Sequence, residues 1–403
     1  MPYIKFAVSA GIHFIFSLSF GLAHAAPYIP ANDADIVERL PGRASDPAIR
    51  RVESLRKQLA ARPDDTDLRI EIARRYFDMA MAQGDPRYVG YASAAIAPLA
   101  KTAPVNTDAQ ADYFLVLGLI QQFSHAFEPA LSSLAKASQL NPKSVEPLLW
   151  RSAIFMVQAR YPEALAECQR VTPLADPLLG MGCNAYVEAT TGQLDPAFEK
   201  LSAAVKAAPQ APPELLLWQA TRLAEMAWRL GRFDTAEAYF KNALKQGVTD
   251  QFLLGAYADF LLARQRPVEV ISLLANWERS DILLLRLALA GKTTGDKRSI
   301  DWAAQLRDRF VAASLRGDRL HEQEAARFEL DIEGNAAKAL NLASANYKIQ
   351  KEPRDAEILM RAAVAAKQGK TAQVALDWLR SSRYQDAALE ALAGQLAAQG
   401  ATR

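Results

Sequence analysis

The chain has 403 residues, half of them hydrophobic, with 47 lysines and arginines against 45 aspartates and glutamates. So close a balance leaves no basic footprint for nucleic acid and no cationic run for an anionic lipid surface. Alanine and leucine dominate and β-branched runs of strand length are scarce, which points to an all-helical protein.

Residues 1–25 carry one charged side chain, Lys5, then an apolar run from Phe6 to Leu22 and the small-x-small sequence Ala23-His24-Ala25. This is the layout of a secretory signal peptide, with cleavage expected after Ala25 because cutting after Ala26 would start the mature chain on Pro27. An uncleaved membrane anchor is the competing reading, weakened by Gly11, His13 and three serines within the run. Cysteine is absent from the cleavage region, which argues against a lipoprotein. The expected product is exported, periplasmic or secreted, with no integral membrane span. Residues 26–47, with Pro27, Pro30, Pro41 and Pro47, read as an extended leader. Helix is expected from about Ala48 to Ala61. After Pro63, Leu68, Ile72, Ala73 and Tyr76 mark another helix, and the late Gly84-Asp85-Pro86 turn implies longer helices here.

From residue 111 a repeat emerges. Phe114, Leu117, Gly118, Ala130, Leu134, Ala137 and Pro142 form one unit. A shift of about 34 residues brings up Leu148, Ser152, Phe155, Ala164 and Cys168. A third unit holds Ala185, Ala197, Leu201, Ala204 and Pro209, and an insertion with Pro212 and Pro213 then breaks the register. The fourth has Leu223, Ala224, Gly231, Ala236, Phe240 and Ala243. A fifth starts near Gln251, with its second helix beyond Pro267. Small residues sit where two helices approach, bulky ones fill the gaps, and proline or glycine ends each helix.

These residues resemble the tetratricopeptide-repeat superfamily over residues 111–275. The resemblance implies a right-handed superhelical α-solenoid of antiparallel helix pairs. Residues 48–110 read as N-terminal helices with a degenerate repeat, and 276–403 as divergent C-terminal repeats ending in a cap. In that last part helices are expected over 282–290, 299–315, 321–332, 335–349, 355–368, 371–380 and 386–398. Gly291, Gly295, Gly317, Gly334 and Gly369 are taken as the turns between them.

Little in the sequence carries chemistry. Only His125 and His321 lie beyond the signal segment, too few for a histidine metal site. Gly180, Gly182 and Ala185 spell G-x-G-x-x-A, but Thr172-Pro173-Leu174-Ala175-Asp176-Pro177 cannot supply the strand which that fingerprint requires. No nucleophile elbow, zinc helix or phosphate loop is present, so neither an enzyme nor a cofactor is expected. Paired acids such as Glu322 with Glu324, or Asp64 with Asp65, fit solvated helix ends. Cys168 and Cys183 are the only cysteines; in an oxidising compartment they could pair as a disulfide, or they are two small buried thiols.

In tetratricopeptide solenoids the first helix of each pair lines a concave face. Carried onto this chain, the resemblance puts Asp112, Leu115, Leu119, Gln122, Glu146, Leu149, Ala153, Met156, Tyr186, Trp218, Thr221, Glu225 and Trp228 there. The lysines and asparagines with which family members grip a terminal carboxylate are missing. The resulting expectation is a scaffold that binds a protein or peptide in its groove through Leu115, Leu119, Leu149, Met156, Tyr186, Trp218, Thr221, Glu225 and Trp228, in envelope assembly or secretion. The alternative is a glycan- or lipid-binding protein stacking sugars on Tyr186, Trp218 and Trp228.

Overall fold

The computed structural model describes residues 46–101, 106–315, 317 and 319–401. The proposed signal peptide and all of the leader up to residue 45 lie outside the described residues. From Pro47 onward the described chain is helical throughout, apart from short turns, and strand-free, with two short 3-10 helices at Ala97–Ala100 and Gly369–Ala372, the second starting on a glycine expected as a turn. It is a solenoid in which consecutive helices pack as antiparallel pairs.

A leading helix, α1 (Pro47–Ala61), packs on the first pair, α2 (Thr66–Gln83) and α3 (Arg87–Ile96). Then follow α4 (Thr107–Phe123) with α5 (Phe127–Leu140), α6 (Glu146–Val157) with α7 (Tyr161–Val171), and α8 (Pro177–Thr190) with α9 (Leu194–Ala207). The pairs continue as α10 (Pro213–Arg229) with α11 (Phe233–Leu244), α12 (Gln251–Ala263) with α13 (Pro267–Leu273), and α14 (Asp281–Thr294) with α15 (Arg298–Leu315). The last are α16 (Glu322–Asp331) with α17 (Ala336–Asn346), then α18 (Pro353–Ala365), α19 (Gln373–Ser382) and α20 (Ala387–Ala401).

Helix starts are encoded locally. Side chains of Asp65, Asn106, Asp176, Asp250, Ser280 and Asn335 each accept a hydrogen bond from a first-turn amide. Pro177, Pro213, Pro267 and Pro353 occupy the first helical position, where a missing N–H costs nothing.

Many of the turns within pairs follow one rule that glycine reveals only in part. His125, Ala159, Gly192, Gly231, Gln265 and Lys367 all have φ between 54° and 91°. In each case the next residue's N–H returns to a carbonyl five residues back, as Ala126 to Gln121, Arg160 to Phe155 and Arg266 to Leu261. This is the left-handed helix cap, and it recurs 34 residues apart between His125 and Ala159 and between Gly231 and Gln265. Four of the six positions lack glycine, so these turns escape a glycine search. Among the glycines taken as C-terminal turns, Gly295, Gly317 and Gly334 have positive φ. Gly291 instead lies inside α14, where a Cβ would sit 2.8 Å from Ser299 and 3.0 Å from Trp302.

The core runs between the pairs as a chain of apolar clusters. Leu119, Leu134, Ala130 and Ala164 pack in one; Leu201, Leu223, Phe240, Phe260 and Leu283 fill the next; Ala339, Leu359, Ala375 and Leu396 form the last. Gly118 permits the close approach of α4 and α5: a Cβ there would meet Leu134 Cγ at 2.7 Å. Gly182 does the same for α8 and α10, since a Cβ would overlap the fully buried Gln219 amide, which donates to Leu178 O at 3.2 Å. The G-x-G-x-x-A run is therefore helix-packing sequence inside α8.

Candidate functional site: an open groove on a face partly covered from within

The first helices of successive pairs touch one another as well as their partners: α2 meets α4, α4 meets α6, α8 meets α10, and the series continues through α12, α14, α16 and α18. Charges on distant helices act on one another along this face. At Arg354 near the start of α18, desolvation works against the charged form, but Glu352, Glu225 on α10 and Asp259 on α12 outweigh it and hold the guanidinium further toward that form.

Over the middle of this face the chain covers itself. At the α6–α7 turn, Val157 O accepts the Lys351 amide at 2.7 Å and Tyr161 Oη accepts the Trp378 indole N–H at 2.7 Å. Burial pushes the Tyr161 phenol up to about 12. Beyond α8, Leu194 N donates to Gln385 Oε1 at 3.1 Å. Arg229, ending α10, donates to Gln385 O at 3.0 Å and Ala189 O at 2.7 Å, and lies 3.7 Å from the centre of the Tyr384 ring. A separate contact joins the last turn of α2 to the start of α12, where Gln251 Nε2 donates to Met81 O at 3.2 Å. The turns before α18 and α20 thus bridge pairs that are about 190 residues away in the chain, as Leu194 and Gln385 show.

The nine residues put forward as groove-lining have different surroundings. Leu119, Met156 and Thr221 are buried, with Thr221 Oγ1 donating to Leu217 O at 2.8 Å. Leu149 and Trp218 are half-buried against the core of the second and third pairs. The Tyr186 ring lies 3.8 Å under the Arg222 guanidinium, and Glu225 accepts from Arg222 at 3.0 Å. Trp228 stands edge-on to Phe260 with centroids 5.6 Å apart. At Tyr186 one ring face that could stack on a sugar is engaged internally by Arg222. Of the nine, Leu115 lines a cleft at the front of the array.

That cleft, of about 500 Å³, is bounded by Asp67, Ile70, Glu71, Arg74, Arg75 and Asp78 of α2, by Asp112, Leu115 and Val116 of α4, and by Ser144 and Glu146 at the start of α6. Arg74 bonds Asp78 at 2.9 Å and Glu146 at 2.8 Å, tying α2 to α6. Burial raises the Asp78 carboxyl despite Arg74. Burial also raises Asp112, reinforced by Asp108, Asp67 and Glu146. Sequence reasoning placed Asp112, Leu115 and Glu146 on this face; α2's contribution was hidden because its pair departs from the repeat pattern.

A second polar feature lies further along. Asp259 on α12 accepts from Arg286 of α14 at 2.5 Å and Arg327 of α16 at 2.7 Å. Asp331 accepts from Arg361 of α18 at 2.6 Å. A cleft of about 490 Å³ opens beside them, lined by Lys292, Arg327, Asp331, Arg361 and neighbouring apolar residues. The only sequence signal was Arg286 interrupting an apolar run. Cys168 and Cys183, on α7 and α8, are joined by a disulfide with Cα atoms 5.4 Å apart, and Ser152 Oγ packs 3.2 Å from Cys168 Sγ. Of the paired acids, Asp65 caps α2, and Glu324 is buried, with burial outweighed by His321 and Arg286 so that its carboxyl is lowered. Among the described residues no helix is long and apolar enough to cross a membrane.

No protein family model matches the chain, and no curated protein matches it. Among solved structures, yeast Tom70 is similar over 88% of this chain and 85% of its own, at 12% identity and a TM-score of 0.43. IFIT1, solved as a monomeric mutant with Gppp-AAAA, is similar over 87% of this chain and 76% of its own, at 14% identity and a TM-score of 0.41. A chain of the APC/C hetero-tetramer Cut9–Hcn1 is similar over 78% of this chain, at 16% identity and a TM-score of 0.39; this chain spans 52% of that one's length.

Proposed function

We propose that the protein is an exported, periplasmic scaffold of tetratricopeptide-like type that holds a protein or peptide segment in the groove of α2, α4 and α6, in the setting of envelope assembly or secretion. The observation that carries this is the contrast along one face. Its middle is met by the turns before α18 and α20, while its front retains a cleft of about 500 Å³ walled by the first helices of three successive pairs. Helices locked by packing and by the Arg74 bridges give a pre-organised surface, so little ordering cost opposes association. The signal-like pattern of residues 1–25 is the support for export.

The test places a photo-crosslinking amino acid at Arg75 or Ser144 in the groove, and at the exposed Val374 of α19 as a control. Adducts from both groove positions to the same partner segment, with none from Val374, support the reading; equal labelling from all three sites refutes it. N-terminal sequencing of the protein from a periplasmic fraction should begin at Ala26, and a product retaining Met1 in the cytoplasm would rule out export.

A further inference from the structure

We infer that the front groove takes an extended polypeptide segment carrying lysine or arginine side chains. The inference rests on the scaffold reading above and adds the chemistry of the partner. The groove is a mixed surface, with apolar side chains of Ile70, Leu115 and Val116 at its base and ionic groups on its walls. Its lining has five carboxylates, Asp67, Glu71, Asp78, Asp112 and Glu146, against two guanidinium groups, Arg74 and Arg75.

The internal ion pairs do not cancel that excess. Arg74 is shared between Asp78 and Glu146, and Glu71 is met by Arg51 at 2.7 Å and Arg75 at 3.8 Å. Asp67, in the first turn of α2, and Asp112, exposed on α4, have no ion-pair partner among the described residues. Asp108, one turn before Asp112, adds a further negative charge close by. Like charges on three separate helices are held together by the fold, and a cation entering between them relieves their repulsion.

The dimensions suit an extended chain. Packed helices lie roughly 8–10 Å apart, so crossing from α2 to α6 spans roughly 20 Å, about six residues of extended polypeptide. Cationic side chains about three residues apart would then reach first the α2 carboxylates and then those of α4 and α6. An anionic or neutral segment would leave Asp67 and Asp112 facing like charge or nothing.

The test uses the full mature chain and fluorescence anisotropy with labelled octalysine, and with octaglutamate of equal length. Octalysine should bind and octaglutamate should not, and octalysine binding should weaken as salt is raised. Asp67→Asn with Asp112→Asn should weaken octalysine binding by roughly tenfold, from two exposed charge pairs lost. Both residues make no ion pair whose loss would disturb folding, and circular dichroism should confirm unchanged helicity. Glu214→Gln with Glu390→Gln, at exposed positions on α10 and α20, makes the same charge change elsewhere and should leave binding as in the parent.

Equal affinity of parent and groove variant, or an equal loss in the control variant, would overturn the inference. If groove crosslinking captures a partner segment without cationic side chains, the cation inference falls and the scaffold reading stands. If octalysine binds the groove but crosslinking shows no groove-specific partner, the scaffold reading falls instead.

Discussion

Asp259 sits between two guanidinium groups, Arg286 at 2.5 Å and Arg327 at 2.7 Å, and Arg286 is only 2% exposed. Asp259→Ala would leave Arg286 with the Ile282 carbonyl as its remaining acceptor among the bonds it makes here, while Arg327 keeps only a 3.6 Å approach to Asp331. Removing one partner of a buried ion pair typically costs 3–5 kcal/mol, about that much is expected here, and the exposed edge of Asp259 argues for the lower end. The double variant Asp259→Ala with Arg286→Met removes the stranded charge and should regain most of the loss. Chemical denaturation followed by helical circular dichroism measures both. A loss under about 1 kcal/mol for Asp259→Ala, or no recovery in the double variant, would refute the reasoning.

The same cluster sets an acid limit. Burial alone would raise the Asp259 carboxyl, but Arg286 and Arg327 outweigh it and hold it well below the usual carboxylate range. A carboxyl whose folded pKa lies below its unfolded one stabilises the fold fully above the unfolded range. That contribution is lost as pH falls from about 4 toward the folded value. Glu237, held down to about 2 mainly by its hydrogen bonds from Arg266, acts in the same direction. Between pH 4 and 2 the parent should therefore lose stability more steeply than Asp259→Ala, whose dependence is flatter.

Other perturbations test the packing and the self-coverage. Gly118→Leu must displace the fully buried Leu134 and should cost about 1–3 kcal/mol or more, read as a lower denaturation midpoint; an unchanged midpoint would mean α4 and α5 do not approach there. Arg229→Ala removes two main-chain hydrogen bonds and the contact with Tyr384, so amide exchange in α18 to α20 should accelerate while that in α4 and α5 stays as in the parent. Uniform exchange in both regions would remove Arg229 as a tether. Protein alkylated under denaturing conditions without reductant should show neither cysteine labelled, and Cys168→Ser with Cys183→Ser should lose about 3 kcal/mol; two labelled thiols would exclude the bridge.

Local chemistry made much of the helical architecture legible from residues alone. Proline and glycine breaks, and small residues such as Gly118 and Ala130 at close helix approaches, act over a few residues, so their meaning survives without coordinates. The helix expected over 299–315 is found as Arg298–Leu315, and the one over 386–398 as Ala387–Ala401. Differences arise where tertiary bonds end a helix early: α17 stops at Asn346, whose side chain donates to Asp355 on the next helix. The turns at His125, Ala159, Gln265 and Lys367 carry no glycine, yet each is left-handed and closed by an amide returning five residues back, so glycine alone does not locate them.

The site was another matter. A repeat register places Trp218, Tyr186 and Trp228 on one face, but cannot say what lies opposite that face. Only the tertiary structure brings Gln385 to Leu194 and Arg229, Trp378 to Tyr161, and Glu225 and Asp259 into the field of Arg354. Such contacts link residues far apart in the chain through the summed rotation of every intervening pair, a quantity no single unit encodes. Sequence by itself determined which segments become helices and which sides of them stick together; folding in three dimensions decided which stretches of the first-helix face retain a cleft.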